Sequence, residues 1–219
     1  MGPTYCETPL LLTGFPVEPI NTISNLIIIA FGIVALWLVY RRAGKEFDLW
    51  AVAVFLTVTC VGSLLWHGFR TSLFLTLDYT PGMLALLAIL LAWARRLFGS
   101  WWAALLSVVV FICVVSAGSA LVGLLGDFRF FFAGPLVAVL GIGGYFVYRS
   151  YRLWGRVALV PLLGMGSALL ALMFRTIDSQ MCAYIPFGTH FLWHTFLSLG
   201  AFLCFYFLLK ISERSRGGE

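Results

Sequence analysis

INTISNLIIIAFGIVALWLVY, residues 20–40, runs for 21 positions without one acidic or basic side chain. A bilayer core about 30 Å thick is crossed by about 20 apolar residues in a helix, so this stretch predicts a membrane span. Outward from it the pattern recurs at residues 49–66, 73–93, 101–125, 130–148, 157–174 and 187–209, each bounded by charge, Gly or Pro. The composition agrees: 62% of the 219 residues are hydrophobic and 11% charged, against roughly 45–50% and about 25% in a soluble domain. A water-soluble globule of this size cannot hide so much apolar surface, and soluble enzymes, collagen, disordered tails and disulfide-dense secreted scaffolds are excluded. The expected fold is an all-α, seven-transmembrane helix bundle. An exoplasmic N-terminal tail (1–19) precedes the membrane domain (20–211), and a cytoplasmic tail (212–219) follows it.

The net charge of +5 reads as topology rather than as a nucleic-acid surface. Short loops rich in Lys and Arg stay in the cytoplasm. Arg41, Arg42, Lys45, Arg95, Arg96, Arg149, Arg152, Arg156, Lys210, Arg214 and Arg216 all fall on one side, while the other carries Arg70, Arg129 and Arg175. The N-terminus is therefore expected outside and the C-terminus in the cytosol. The first span lacks a basic leading region and follows an acidic tail with Glu7 and Glu18, which sets it apart from a cleavable signal peptide. Cys6 and Cys182 fall on the oxidising side and are expected to pair. Cys60, Cys113 and Cys204 lie within spans, as small hydrophobes.

Ionisable groups inside apolar spans are costly and mark functional sites. The three histidines are His67, at the end of the second span, and His190 and His194, in the first turns of the seventh; all three come to the outer leaflet. Residues four apart stack on one helix face, and three neutral imidazoles with an open fourth position are a catalytic zinc arrangement. The alternative is a set of interfacial histidines bonded to backbone or water. Asp78 is the one acid well inside a span, at the depth of His67; it serves either as proton carrier or as a partner that orients a histidine ring. Ser63, one turn before His67, either donates to an oxyanion or bonds its own helix carbonyl. Asn21, Ser24 and Asn25 share one stripe behind Glu18, as helix caps and interhelical bonds or as part of the site. Glu7 and Glu18 offer hard oxygen ligands to calcium. Gly141, Gly143 and Gly144 suggest close helix packing, and Trp66, Trp101 and Trp193 suggest interfacial anchors.

Taken in order, Cys6-Glu7, E-P-I-N-T-I-S-N (18–25), G-S-L-L-W-H (62–67), Asp78, D-S-Q-M-C (178–182) and H-F-L-W-H (190–194) resemble the alkaline ceramidase family, in the superfamily shared with progestin and adipoQ receptors. The resemblance covers both ends and the second and third spans; the fourth to sixth match in hydropathy alone. It implies a zinc-dependent intramembrane lipid amide hydrolase, cleaving ceramide or a related N-acyl lipid to fatty acid and sphingoid base near the exoplasmic (periplasmic or lumenal) leaflet. His67, His190 and His194 would hold zinc, Asp78 would be the general acid/base, Ser63 would stabilise the oxyanion, and Cys6 and Cys182 match positions that pair. The family's calcium pattern has Asp before the aromatic-Cys-Glu and Asn two residues after it, where this chain has Thr4 and Pro9; Glu7 and Glu18 remain. Three rivals are a receptor-like member of the superfamily, a zinc hydrolase of lipid esters, and a proton channel. Short cytoplasmic loops disfavour the first, and the absence of ionisable groups inside spans four to six disfavours the last. A membrane lipid is the expected partner, with no obligate protein partner.

Overall fold

The computed structural model describes residues 2–11, 14–124 and 133–217; these form helices and turns without a strand. Leu125, Arg129 and Phe130, at the junction of the fourth and fifth expected spans, lie outside the described residues, as do the last two positions of the C-terminal tail. A 3-10 turn (Thr8–Leu11) precedes α1 (Pro19–Leu38), which widens into a π turn, Val39–Ala43. Then come α2 (Phe47–Phe69), α3 (Ser72–Phe98), α4 (Trp101–Leu124) and α5 (Ala133–Ala138). A second π turn (Val139–Gly143) leads to α6 (Gly144–Trp154), followed by a 3-10 turn (Gly155–Ala158), α7 (Leu159–Met181) and α8 (His190–Gly217). α1 opens on Pro19, whose missing N–H costs nothing in a first turn. α2 closes on Arg70 in the left-handed conformation (φ 55°), which returns an N–H to the Trp66 carbonyl at 2.8 Å.

By length and composition six stretches can cross a membrane: Pro19–Ala43, Phe47–Phe69, Ser72–Phe98, Trp101–Leu121, Gly134–Met181 and His190–Gly217. The fifth is 48 residues long and is interrupted at Gly155 (φ 64°). Large apolar side chains such as Leu106, Val109, Val137 and Leu163 are more than half exposed along these helices, a surface that lipid covers at no cost and water would not. α2 packs most closely on α3, α7 on α8, and α1 on α2 and α8, with α4 on α3 and α5. The apolar core gathers Trp93, Phe146, Phe207 and Trp154 in ring-to-ring contact toward one end. There Arg96 bonds Asp48 at 2.5 Å and Glu46 at 2.6 Å, Arg216 reaches Glu46 at 3.5 Å, and Ser212 donates to Glu46, tying the ends of α2, α3 and α8.

Packing extends beyond the apolar runs. In the N-terminal segment Tyr5, Cys6, Glu7 and Thr8 are buried. Backbone N–H groups of Val17 and Glu18 donate to the Gly68 and His67 carbonyls at 3.1 Å, satisfying the open end of α2. At the other terminus α8 runs through residues 212–217, with Ser212 buried against Glu46. α7 continues past the apolar stretch that ends at Phe174, through Asp178 to Met181. Trp66 is buried rather than interfacial. Of the three grouped glycines only Gly143 faces a close neighbour, Met165; Gly141 and Gly144 face open space.

Candidate metal centre

His67 stands in the last turn of α2, and His190 and His194 in the first two turns of α8. All three side chains are buried. The start of α8 is aligned from outside the helix. One carboxylate oxygen of Asp178, on α7, accepts the N–H of Thr189 at 2.7 Å and of His190 at 3.0 Å, two of the donors a helix N-terminus leaves open. That contact demands Gly188: its φ is 67°, and a Cβ there would lie 2.2 Å from Asp178 Oδ1 and 2.8 Å from Cys6 Sγ. The Cys6–Cys182 disulfide fastens the N-terminal segment to the end of α7 beside it.

The rings converge through their Nε2 atoms. His194 Nε2 is 2.9 Å from both His67 Nε2 and His190 Nε2, and all three donor atoms lie within 4.8 Å of one another. On the far side of its ring, His67 Nδ1 pairs with the Glu18 carboxylate. That bond holds the proton on Nδ1 and leaves the Nε2 lone pair facing inward, the usual way a metal-binding imidazole is oriented. Neutral imidazoles pressing lone pairs together are repulsive unless a cation sits among them, so the donor set fits a divalent ion that takes nitrogen, such as zinc. Glu18 itself is gripped by Arg70 at 3.1 Å, by the Thr8 hydroxyl at 2.5 Å and by Asn21 Nδ2 at 3.4 Å.

Ser63, one turn below His67, lies 3.4 Å from His194 Nδ1, and its hydroxyl is an electrostatic neighbour of the Asp78 carboxylate. α3 can bring Asp78 there because Gly62 has no side chain. A Cβ at Gly62 would stand 2.3 Å from the Leu77 carbonyl carbon and oxygen. The Thr59 hydroxyl also donates to the Asp78 carbonyl. Tyr5 closes the pocket, stacked on His190 with ring centroids 3.7 Å apart and planes 17° from parallel. Burial pushes its phenol up to about 12, against the opposing pull of Arg175, so it meets His190 as a neutral ring. Arg70 lies 4.1 Å over Trp66, and Arg175 lies 5.1 Å over Tyr5.

The oxygens of Glu7 and Glu18, the carboxylates that the sequence offers to calcium, meet protein donors. The Glu7 oxygens accept the N–H groups of Ile20 at 2.6 Å and Asn21 at 2.9 Å, capping α1. Those of Glu18 are taken by donors that include a cation, and burial raises both carboxyls above their ordinary value. Ser24 and Asn25 bond their own helix at the Asn21 carbonyl, at 2.9 and 2.6 Å; Asn21 alone of the stripe reaches the site's outer layer, through Glu18. Glu18 as the partner of His67, Asp178 as the cap of α8 and Tyr5 as the lid over His190 escape sequence reasoning, since each acts across 11 or more positions. A carboxylate three positions ahead of Asn21, and another in D-S-Q-M-C, are the sequence signals for the first two.

Against known families, the model described as Ceramidase matches residues 3–218. No curated protein matches the sequence.

Proposed function

As the chain belongs to the ceramidase family, we propose that it is a zinc-dependent intramembrane hydrolase of a lipid amide, ceramide or a related N-acyl lipid, releasing a fatty acid and a sphingoid base. The observation that carries this reading is the convergence of three imidazole Nε2 atoms with a carboxylate behind one ring and the Ser63–Asp78 pair at its side. Zinc bound there would polarise the amide carbonyl and acidify a water. Asp78 takes the proton of the attacking water on its carboxylate and returns it to the amide nitrogen as the C–N bond breaks. The Ser63 hydroxyl donates to the developing oxyanion. Glu18 keeps the His67 proton on Nδ1, and Tyr5 and the disulfide-fastened segment keep bulk water off the rings.

The bundle in this reading crosses seven times, the 48-residue stretch counting twice because Gly155 and the following 3-10 turn break it. Residues 1–19 are the exoplasmic N-terminal tail, 20–211 the membrane domain and 212–219 the cytoplasmic C-terminal tail. The excess of Lys and Arg at the end away from the histidines supports that orientation. The test is elemental analysis of the purified protein, followed by mass spectrometry of N-acyl and O-acyl lipids incubated with it. One zinc per chain and release of fatty acid from the amide, both lost in His67→Ala, are expected. Full activity in a chelated, metal-free His67→Ala sample, or cleavage confined to the ester, overturns the scheme.

A further inference from the structure

At the end of the bundle away from the histidines, α6 docks on α3 through one face. Phe146 packs edge-on against Trp93 with centroids 5.6 Å apart, and the Trp93 indole N–H donates to Ser150 at 2.8 Å. Phe146 and Ser150 are one turn apart, so the stripe at i, i+3, i+4 and i+7 from Tyr145 turns away from α3, with Arg149 half-buried at its flank. It reads Tyr145, Tyr148, Arg149, Arg152. Tyr148, Arg149, Arg152 and Leu153 line a cleft of about 310 Å³, at the small end of the roughly 300–1,000 Å³ of ligand pockets.

Charge distinguishes this cleft from the other basic residues of that end. Residues 128–177 contain no Asp or Glu. The nearby acids Glu46, Asp48 and Glu213 are engaged by Arg96, Arg216, Arg42 and Lys210. Among the described residues Arg149 and Arg152 have no carboxylate partner. Arg149 Nε is buried without a hydrogen bond, and Arg152 donates to the Tyr148 hydroxyl at 3.2 Å. Two guanidinium forks beside a phenol, with no carboxylate partner among the described residues, match the oxygens of a phosphate. We infer that this cleft holds the phosphate of an anionic phospholipid headgroup. Free phosphate shares that chemistry, but Leu153, Tyr145 and Leu140 are about half exposed alongside. They give an acyl chain a place to lie, and Tyr and Arg together belong at a membrane interface.

The test uses the full chain in neutral detergent and native mass spectrometry, with phosphatidylglycerol and phosphatidylcholine offered separately. The wild type is expected to retain phosphatidylglycerol preferentially. Arg149→Gln with Arg152→Gln should weaken it roughly 30-fold, about fivefold for each charge. Arg41→Gln with Lys45→Gln, which removes two exposed charges at the same end, should leave it unchanged. Arg149→Lys with Arg152→Lys keeps the charge and guards against a folding artefact; retention between the two is expected. Equal loss in the Arg41/Lys45 variant, equal retention of phosphatidylcholine, or displacement of the lipid by millimolar inorganic phosphate overturns the inference. None of these outcomes depends on the histidine site.

Discussion

Replacing Gly62 by Ala tests whether the close approach of α2 and α3 sets the chemistry. A Cβ at that position would lie 2.3 Å from the Leu77 carbonyl carbon and oxygen and 2.6 Å from the Asp78 nitrogen, where ordinary contact begins near 3.4 Å. The neighbours are backbone atoms, so no side chain can swing aside and the helices must part by about 1 Å. Overpacking of this kind costs about 1–3 kcal/mol of stability. Its larger consequence is for Asp78, carried away from Ser63, since a displacement of about 1 Å at a reacting group is worth about 100-fold in rate. The histidines sit on α2 and α8, not on α3, so bound metal should stay at the wild-type level. The assay is turnover of an N-acyl lipid alongside metal stoichiometry on one preparation. Turnover near wild type with metal intact, or activity and metal lost together, would refute the reasoning, because either result means α3 does not absorb the shift.

Glu18→Gln should weaken metal binding about 10- to 100-fold, read by competition with a chelator of known affinity, since His67 loses the carboxylate that orients it. Asp178→Ala strips two N–H groups at the start of α8 of their acceptor; it should lower stability by about 1–2 kcal/mol in thermal melts, and an unchanged melting temperature would count against that capping. Burial raises the Glu7 carboxyl above its ordinary 4.5. The folded protein then binds more protons than the unfolded chain above that value, and stability falls as pH rises through the window; Glu7→Gln should flatten the profile there, and identical profiles for the two proteins would reject the assignment.

What could be read without coordinates follows from how directly each feature depends on neighbours along the chain. Apolar runs longer than a bilayer is thick announce themselves within a single window. His190 and His194 share a face because four residues make about one helical turn. Gly62 beside Ser63 looks like an ordinary small residue until Leu77 is found against it. Trp66 reads as an anchor by its place at a span's end, yet the N-terminal segment folds over it and Arg70 stacks on it. Glu7 and Glu18 are acids on the outer side in any reading. Only the structure shows which donors they meet: the N–H groups of α1 for Glu7, and the side chains of Arg70, Thr8 and His67 for Glu18.

Local arithmetic therefore sufficed for a helical membrane protein with three histidines near one face, because hydropathy and helical repeat are properties of consecutive residues. The aim of each ring, the carboxylate behind His67, the cap beneath His190 and the reach of Asp78 toward Ser63 were decided by tertiary packing. Directional bonds between groups 11 to 131 positions apart exist only once the helices have chosen their neighbours.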